Sequence, residues 1–174
     1  MTGYLLTLIG EDFFALSLKN MKTLCLTDSI QDSEFFNRTI KDSSRFIGFT
    51  KLKYTPLLTI NPNQEAEELF TGIIDTSELL FQKKSDLSSS SKLVVYDVGD
   101  QYLSFVIDDA IYIEYLKENG IKKTAFDMPY GAFCEGTIEF NQNLFTIINL
   151  IDYYQTISEG NIFNSMNNNG RCGK

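Results

Sequence analysis

The chain has 174 residues, 43% of them hydrophobic and 22% charged, and sets 15 Lys+Arg against 23 Asp+Glu for a formal charge of −8. A chain of this length and make-up buries a sizeable core without covalent staples, while its acidity argues against sequence-independent binding of nucleic-acid phosphates and against docking on anionic lipid, both of which need a basic surface. It contains no histidine, which removes Ser-His and Cys-His nucleophile systems, His-ligated zinc and the usual proton shuttle near neutral pH.

From the N-terminus, Tyr4–Ile9 is rich in β-formers, breaks at Gly10-Glu11-Asp12 and resumes at Phe13–Leu18, which predicts a hairpin. This apolar start has no basic leader, so no secretory signal is expected. Phe46–Leu52 and Leu57–Ile60 read as two further short strands. Asn61-Pro62 supplies an N-cap and a first-turn proline ahead of Glu65, Glu67 and Glu68, which predicts a helix, and residues 75–83 read as a second short one. Asp86–Ser91 is a serine-rich loop. Leu93–Val98 and Tyr102–Ile107 flank Gly99-Asp100-Gln101 as a second hairpin, and Thr137–Phe140 and Leu144–Leu150 flank Asn141-Gln142-Asn143 as a third. The longest apolar stretch, Leu144–Ile151, is interrupted by Thr146 and Asn149 and is too short to span a bilayer, so no direct membrane insertion and a cytoplasmic location are expected.

A repeat underlies this order. A shift of 89 residues lays Tyr4-Leu5-Leu6 on Leu93-Val94-Val95, Gly10 on Gly99 and Phe13–Leu16 on Tyr102–Phe105; a shift of 88 lays Gly48 on Gly136 and Thr59-Ile60-Asn61 on Ile147-Ile148-Asn149. The expected fold is mainly β, with two similar subdomains over about 1–61 and 92–157 and a helical bridge and loop over about 62–91. Either half alone is marginal in size, so residues 1–157 are expected to form one domain, followed by an Asn-rich tail over 158–174.

Candidate chemistry is sparse. Ile73-Ile74-Asp75-Thr76-Ser77 resembles the active-site signature of aspartic proteases, in which two carboxylates share a proton; the simpler reading makes Asp75 the N-cap of a helix with Glu78 completing a capping box. Asp97, Asp100, Asp108 and Asp109 are candidate metal ligands, but adjacent aspartates on a strand point to opposite faces, and solvated turn or edge charges explain them as well. Gly131–Gly136 lacks the lysine and hydroxyl of a phosphate loop. The three cysteines, Cys25, Cys134 and Cys172, are odd in number and far apart, which argues for reduced thiols, with Cys134 in the core. The sequon Asn37-Arg38-Thr39 is silent without a secretory route. No catalytic residues, metal ligands or cofactor are assigned, and no enzyme activity is expected.

The duplicated hairpins, with Leu93–Gly99 through Val106-Ile107-Asp108 and Phe133–Gly136 through Leu144–Leu150, resemble the CheW-like family of bacterial chemotaxis coupling proteins over about residues 3–156. Phe46-Ile47-Gly48-Phe49-Thr50-Lys51-Leu52-Lys53 is similar to the family segment F-I-x-G-x-x-N-L-R-G. The resemblance implies two intertwined five-stranded β-barrel subdomains with a few short helices. It also implies a non-enzymatic adaptor that joins the cytoplasmic tips of methyl-accepting chemoreceptors to the regulatory domain of the histidine kinase CheA, recruited to membrane-associated receptor arrays. Lys51, Leu52, Lys53 and Tyr54 stand where the family has Asn-Leu-Arg-Gly, and the resemblance makes them the partner-binding candidates. Lys53 keeps the charge of the family arginine without its planar fork. A CheW-like scaffold of another kinase pathway is the alternative, with the protease-like hydrolase at Asp75 behind it.

Overall fold

The computed structural model describes residues 1–32, 34–37, 45–55 and 66–158. Five strands come first: β1 (Thr2–Ile9), β2 (Asp12–Ser17), β3 (Met21–Leu26), β4 (Phe46–Tyr54) and β5 (Glu67–Ile74). Helix α1 (Thr76–Phe81) then precedes β6 (Lys92–Asp97), β7 (Tyr102–Ile107), β8 (Asp109–Leu116), β9 (Cys134–Phe140) and β10 (Asn143–Ile148), with a second helix, α2, over residues 150–158.

The strands form two five-stranded sheets, ordered β8-β1-β2-β10-β9 and β3-β6-β7-β5-β4. In each, a hairpin from one half of the chain joins three strands from the other, by an antiparallel pairing on one side, β1 with β8 and β6 with β3, and by a parallel pairing on the other: β2 with β10 at Thr146↔Phe14 and Ile147↔Ala15, and β5 with β7 from Thr71↔Tyr102 to Ile74↔Phe105. The two sheets are thereby interlaced and related strand for strand. Neither closes through a continuous ladder. Their outer strands approach instead through single bridges, Lys122↔Thr137 in the first sheet and Ile30↔Leu52 in the second, each placed just after a single-turn 3-10 helix. In the first sheet Tyr112 of β8 also stacks on Phe140 of β9 across that gap, at 4.8 Å.

Irregularities repeat with the strands. Single extra residues bulge at Lys22 in β3 and Ile111 in β8, and at Ile47 in β4 and Glu135 in β9. The latter two are each followed by a glycine of positive φ, Gly48 at 148° and Gly136 at 154°, so the glycines aligned by the sequence repeat are bulge residues that bend their strands. The β9–β10 turn is the two residues Asn141 and Gln142, both at positive φ, as a type I′ hairpin turn requires.

Two expectations are corrected. Residues 67–74, read as part of a helical bridge, form strand β5: the run Leu69-Phe70-Thr71-Gly72-Ile73-Ile74 is β-branched and aromatic, and it gains a partner on each side, β4 and β7. The repeat also changes register. Ile73-Ile74-Asp75, not Thr59-Ile60-Asn61, is the counterpart of Ile147-Ile148-Asn149, at a shift of 74 rather than 88, because the β4–β5 connection is the longer one. Asp75 and Asn149 then do the same work. Asp75 Oδ1 accepts from the Glu78 N–H at 3.2 Å and Asn149 Oδ1 from the Asp152 N–H at 3.1 Å, each capping the helix that follows its strand. The strand expected at Leu57–Ile60, the Asn61-Pro62 helix start, most of the sequon and the tail from residue 159 lie outside the described residues.

Three apolar clusters fill the molecule. Tyr4, Leu6, Ala15, Ile138, Phe145 and Ile147 lie inside the first sheet, and Cys25, Leu52, Tyr54, Ile73, Leu93, Val95 and Val106 are among those inside the second. The largest cluster lies between the sheets, where Leu5, Phe14, Leu16, Ile74, Val94, Phe105 and Ile107 meet Leu79 and Leu80 of α1 and Tyr153 of α2. The fold is thus two curled sheets sharing an inter-sheet core.

The bulges separate two glycine substitutions. A Cβ on Gly136 would meet the Lys122 carbonyl oxygen at 2.6 Å and Ile121 Cγ2 at 2.8 Å, whereas one on Gly48 would meet only the Phe35 ring, at 3.6 Å. Gly136→Ala and Gly48→Ala are each expected to cost about 1–3 kcal/mol of backbone strain, with Gly136→Ala losing more because it also strikes the bridge at Lys122. Calorimetry giving equal losses would refute this account of the bridge.

Candidate partner-binding face

The four candidate contact residues lie on β4, an outer strand of the second sheet, and the period of two along a strand divides them. Leu52 is 0% and Tyr54 2% exposed, both within the second sheet's own core. Lys51 and Lys53 point the other way and are exposed. Leu52 is therefore held inside by the same alternation that puts the lysines outside, and Tyr54 joins it: its hydroxyl donates to Glu67 Oε2 at 2.9 Å. Burial, followed by the hydrogen bond and charge of Glu67, raises the Tyr54 phenol far above its ordinary value. Neither Leu52 nor Tyr54 can touch a partner without opening the sheet.

The outward side of β4 continues through Phe49, and β5 faces it in register with Gly72 opposite Phe49, Phe70 opposite Lys51 and Glu68 opposite Lys53. Phe49 is 50% and Phe70 58% exposed. A Cβ on Gly72 would come within 3.0 Å of the Phe46 ring and 3.2 Å of Phe49, so the missing side chain lets both rings lie against the backbone. The sequence reading passed over Phe49 and Phe70. For Phe49 the signal was there, since Phe49, Lys51 and Lys53 alternate with Thr50, Leu52 and Tyr54.

Of the remaining candidates, Asp75, Asp97, Asp108 and Asp109 have structural partners. Both carboxylate oxygens of Asp75 are engaged, by the Glu78 N–H and by the N–H and hydroxyl of Ser85, and it is 8% exposed; it is the N-cap of α1, but the capping box is not completed, because its own N–H donates to the Arg45 carbonyl at 2.8 Å. Its counterpart in the other half is the second cap, Asn149, rather than a second carboxylate. Asp97 accepts from the Gly99 N–H within its turn, and Asp109 pairs with Lys92 at 3.1 Å. Asp100 lies exposed in the same turn as Gly99. Among the described residues no group of three or more His, Cys, Asp or Glu side chains is placed to hold a metal ion. Cys25 is fully buried and Cys134 half-buried, and burial pushes both thiols up to about 11, which keeps them protonated near neutral pH and poorly nucleophilic. No helix among the described residues is long and apolar enough to cross a membrane.

Asp108 does tie the two sheets' connections together. Its carboxylate accepts from the Gly10 N–H at the β1–β2 turn, beside a depression of about 440 Å³ lined also by Ser77, Lys83, Lys84 and Asp86. Burial, and then the fields of Asp75 and Asp86, raise its pKa against the opposing effect of the Gly10 hydrogen bond.

No protein-family model and no curated protein matches the chain. Among solved structures, it is similar to the scaffolding protein TtCheW from Thermoanaerobacter tengcongensis, with a TM-score of 0.58 and 15% identity over 86% of this chain and 84% of that one. The fold is therefore CheW-like.

Asp108 yields a pH prediction. A carboxyl that titrates higher in the folded than in the unfolded chain takes up a proton on folding, so its charge costs stability increasingly as pH rises above the ordinary 3.8. Asp108→Asn keeps a carbonyl acceptor for Gly10. It is expected to raise the melting temperature at pH 7 and to leave it unchanged near pH 3, where the wild-type group is itself protonated; a lower melting temperature at pH 7 would show that the carboxylate is a net stabiliser.

Proposed function

We propose that the chain is a non-enzymatic adaptor that couples methyl-accepting chemoreceptors to the histidine kinase CheA in bacterial chemotaxis, working in the cytoplasm at membrane-associated receptor arrays. The observation that carries this reading is the likeness of the two interlaced five-stranded sheets to a CheW scaffold over most of both chains. The side-chain census supports it. Asp75 serves as a cap, Asp97 and Asp108 as turn acceptors and Asp109 in an ion pair, while exposed apolar residues that a protein partner could hold include Phe49 and Phe70 on β4 and β5 and Ile111, Tyr112 and Tyr115 on β8.

In this reading residues 1–157 act as one domain whose output is geometry: it holds a receptor tip and the kinase regulatory domain in fixed relation. Lys51 and Lys53 set register and association rate from the rim of the contact, as exposed charges do. Leu52 and Tyr54 act from beneath by anchoring β4 to the second sheet's core. A CheW-like scaffold of another kinase pathway is the second reading, favoured by the replacement of the family's Asn-Leu-Arg-Gly by Lys51-Leu52-Lys53-Tyr54.

Co-sedimentation with receptor tips and CheA tests the proposal. The wild type is expected in the pellet only when both are present, and Lys53→Glu is expected to reduce its recovery several-fold with an unchanged melting curve, since exposed substitutions rarely move stability by more than about 0.5 kcal/mol. Absence of the wild type from the pellet overturns the chemotaxis reading; undiminished recovery of Lys53→Glu removes Lys53 from the contact.

A further inference from the structure

At one end of the second sheet a depression of about 520 Å³ opens between the end of β4, the start of β5, the β6–β7 turn and the bulge of β3. Its described lining sets four carboxylates, Glu67, Glu68, Asp97 and Asp100, against one ammonium group, Lys22. Lys53 stands across from Glu68 on the neighbouring strand. Four carboxylates against these two ammonium groups leave an excess of two negative charges. Glu68 accepts from Gln31 Nε2 at 3.3 Å and Asp97 from the Gly99 N–H at 2.9 Å. Both donors are neutral, so they orient the carboxylates without cancelling their charge and leave lone pairs for a cation.

The fold does not require this acidity, as the equivalent end of the first sheet shows. Ladder for ladder, Leu8 stands there for Asp97, and Asn141 and Gln142 stand for Lys53 and Glu68. β9 and β10 turn back through those two residues, whereas β4 and β5 run on to the pair Tyr54↔Glu67 and so build one wall of the depression. The counterparts of Lys22 and Phe70 are the exposed Ile111 and Leu144. Of the four carboxylates only Asp100 has an acidic counterpart, Glu11. Two ends built on one plan thus differ in surface, and charge placed only to keep sheet edges from pairing would be needed at both.

The layout selects the cation. Among the described residues no three acidic groups converge to hold a metal ion, so the charge is spread around a hollow rather than focused on a point. A guanidinium suits that arrangement: it is planar, delocalised, weakly hydrated and carries several donors. Phe70, 58% exposed on the same rim, adds a ring whose orientation is set by stacking on Phe49 with centroids 5.5 Å apart, and guanidinium planes pack well on aromatic rings.

We propose that this depression receives an arginine side chain of a protein partner, its guanidinium among the carboxylates and its plane against Phe70. The inference rests on the adaptor reading in taking the occupant from a protein, and it deepens that reading by naming the occupant's chemistry. The excess negative charge steers the approach, so salt weakens the contact.

The test titrates the isotope-labelled full chain with capped peptides Gly-Gly-X-Gly-Gly, where X is arginine, lysine or citrulline, and follows backbone amide shifts. The arginine peptide is expected to shift the amides of residues 67–70 and 97–101, the lysine peptide to do so several-fold more weakly, and the neutral citrulline peptide to leave them in place. Glu68→Gln with Asp100→Asn is expected to weaken arginine binding about fivefold and Phe70→Ala about threefold. Both variants should keep the wild-type melting curve, since all three side chains are exposed. Shifts that are absent, that fall elsewhere, that are as strong with lysine or citrulline, that survive either variant undiminished, or that arise with protein concentration alone overturn the proposal. Failure of the wild type to co-sediment with receptor tips and CheA refutes the adaptor reading alone, because the peptide preference is read without receptor or kinase.

Discussion

Four pairings between the halves hold the molecule in one piece: β2 with β10 and β5 with β7 in parallel, and β1 with β8 and β3 with β6 antiparallel. Every other ladder joins strands that are consecutive in sequence. Each parallel pairing sets the end of a hairpin from one half against a strand that runs directly into a helix of the other. The capped helices after β5 and β10 are thereby delivered to the space between the sheets, where Leu79, Leu80 and Tyr153 complete the shared core. The same placement puts β4 on the outside of its sheet with one side against its own core and the other open, and the candidate docking face follows.

Much of this plan was legible in the chain. The three hairpins are written as alternating runs around Gly10, Gly99 and Asn141, and the repeat aligns Gly48 with Gly136, though as turn glycines, whereas both lie at bulges within strands. What escaped notice has physical causes. β3 and β8 are each bulged near their start, at Lys22 and Ile111, and an extra residue breaks the period-two pattern by which a strand is recognised. β5 reads as a continuation of a helix because Pro62 and Glu65 ahead of it, with Glu67 and Glu68 at its own start, form a convincing start signal. Local propensity there yields to pairing on both sides. That misreading also hid the register change in the repeat, and with it the kinship of Asp75 and Asn149.

The candidate site was half legible. The family resemblance pointed to four consecutive residues, but a strand cannot offer four consecutive residues to one partner. Thr50, Leu52 and Tyr54 face in, and Phe49, Lys51 and Lys53 face out. Phe70 was beyond reach of any local pattern, because its position over Phe49 depends on the register that sets Gly72 opposite Phe49 and Phe70 opposite Lys51. Cross-strand neighbours of this kind are tertiary facts, and the sequence holds them only implicitly.

The exchange of hairpins between halves has a consequence for the protein's birth. When β1 and β2 leave the ribosome, the strands that will flank them, β8 and β10, are about a hundred residues from being synthesised. Leu5, Leu6, Phe14 and Leu16, all buried in the finished fold, remain uncovered through most of translation. Such a chain folds late and nearly all at once, and in the interval its nascent N-terminal hairpin is a natural client for chaperones.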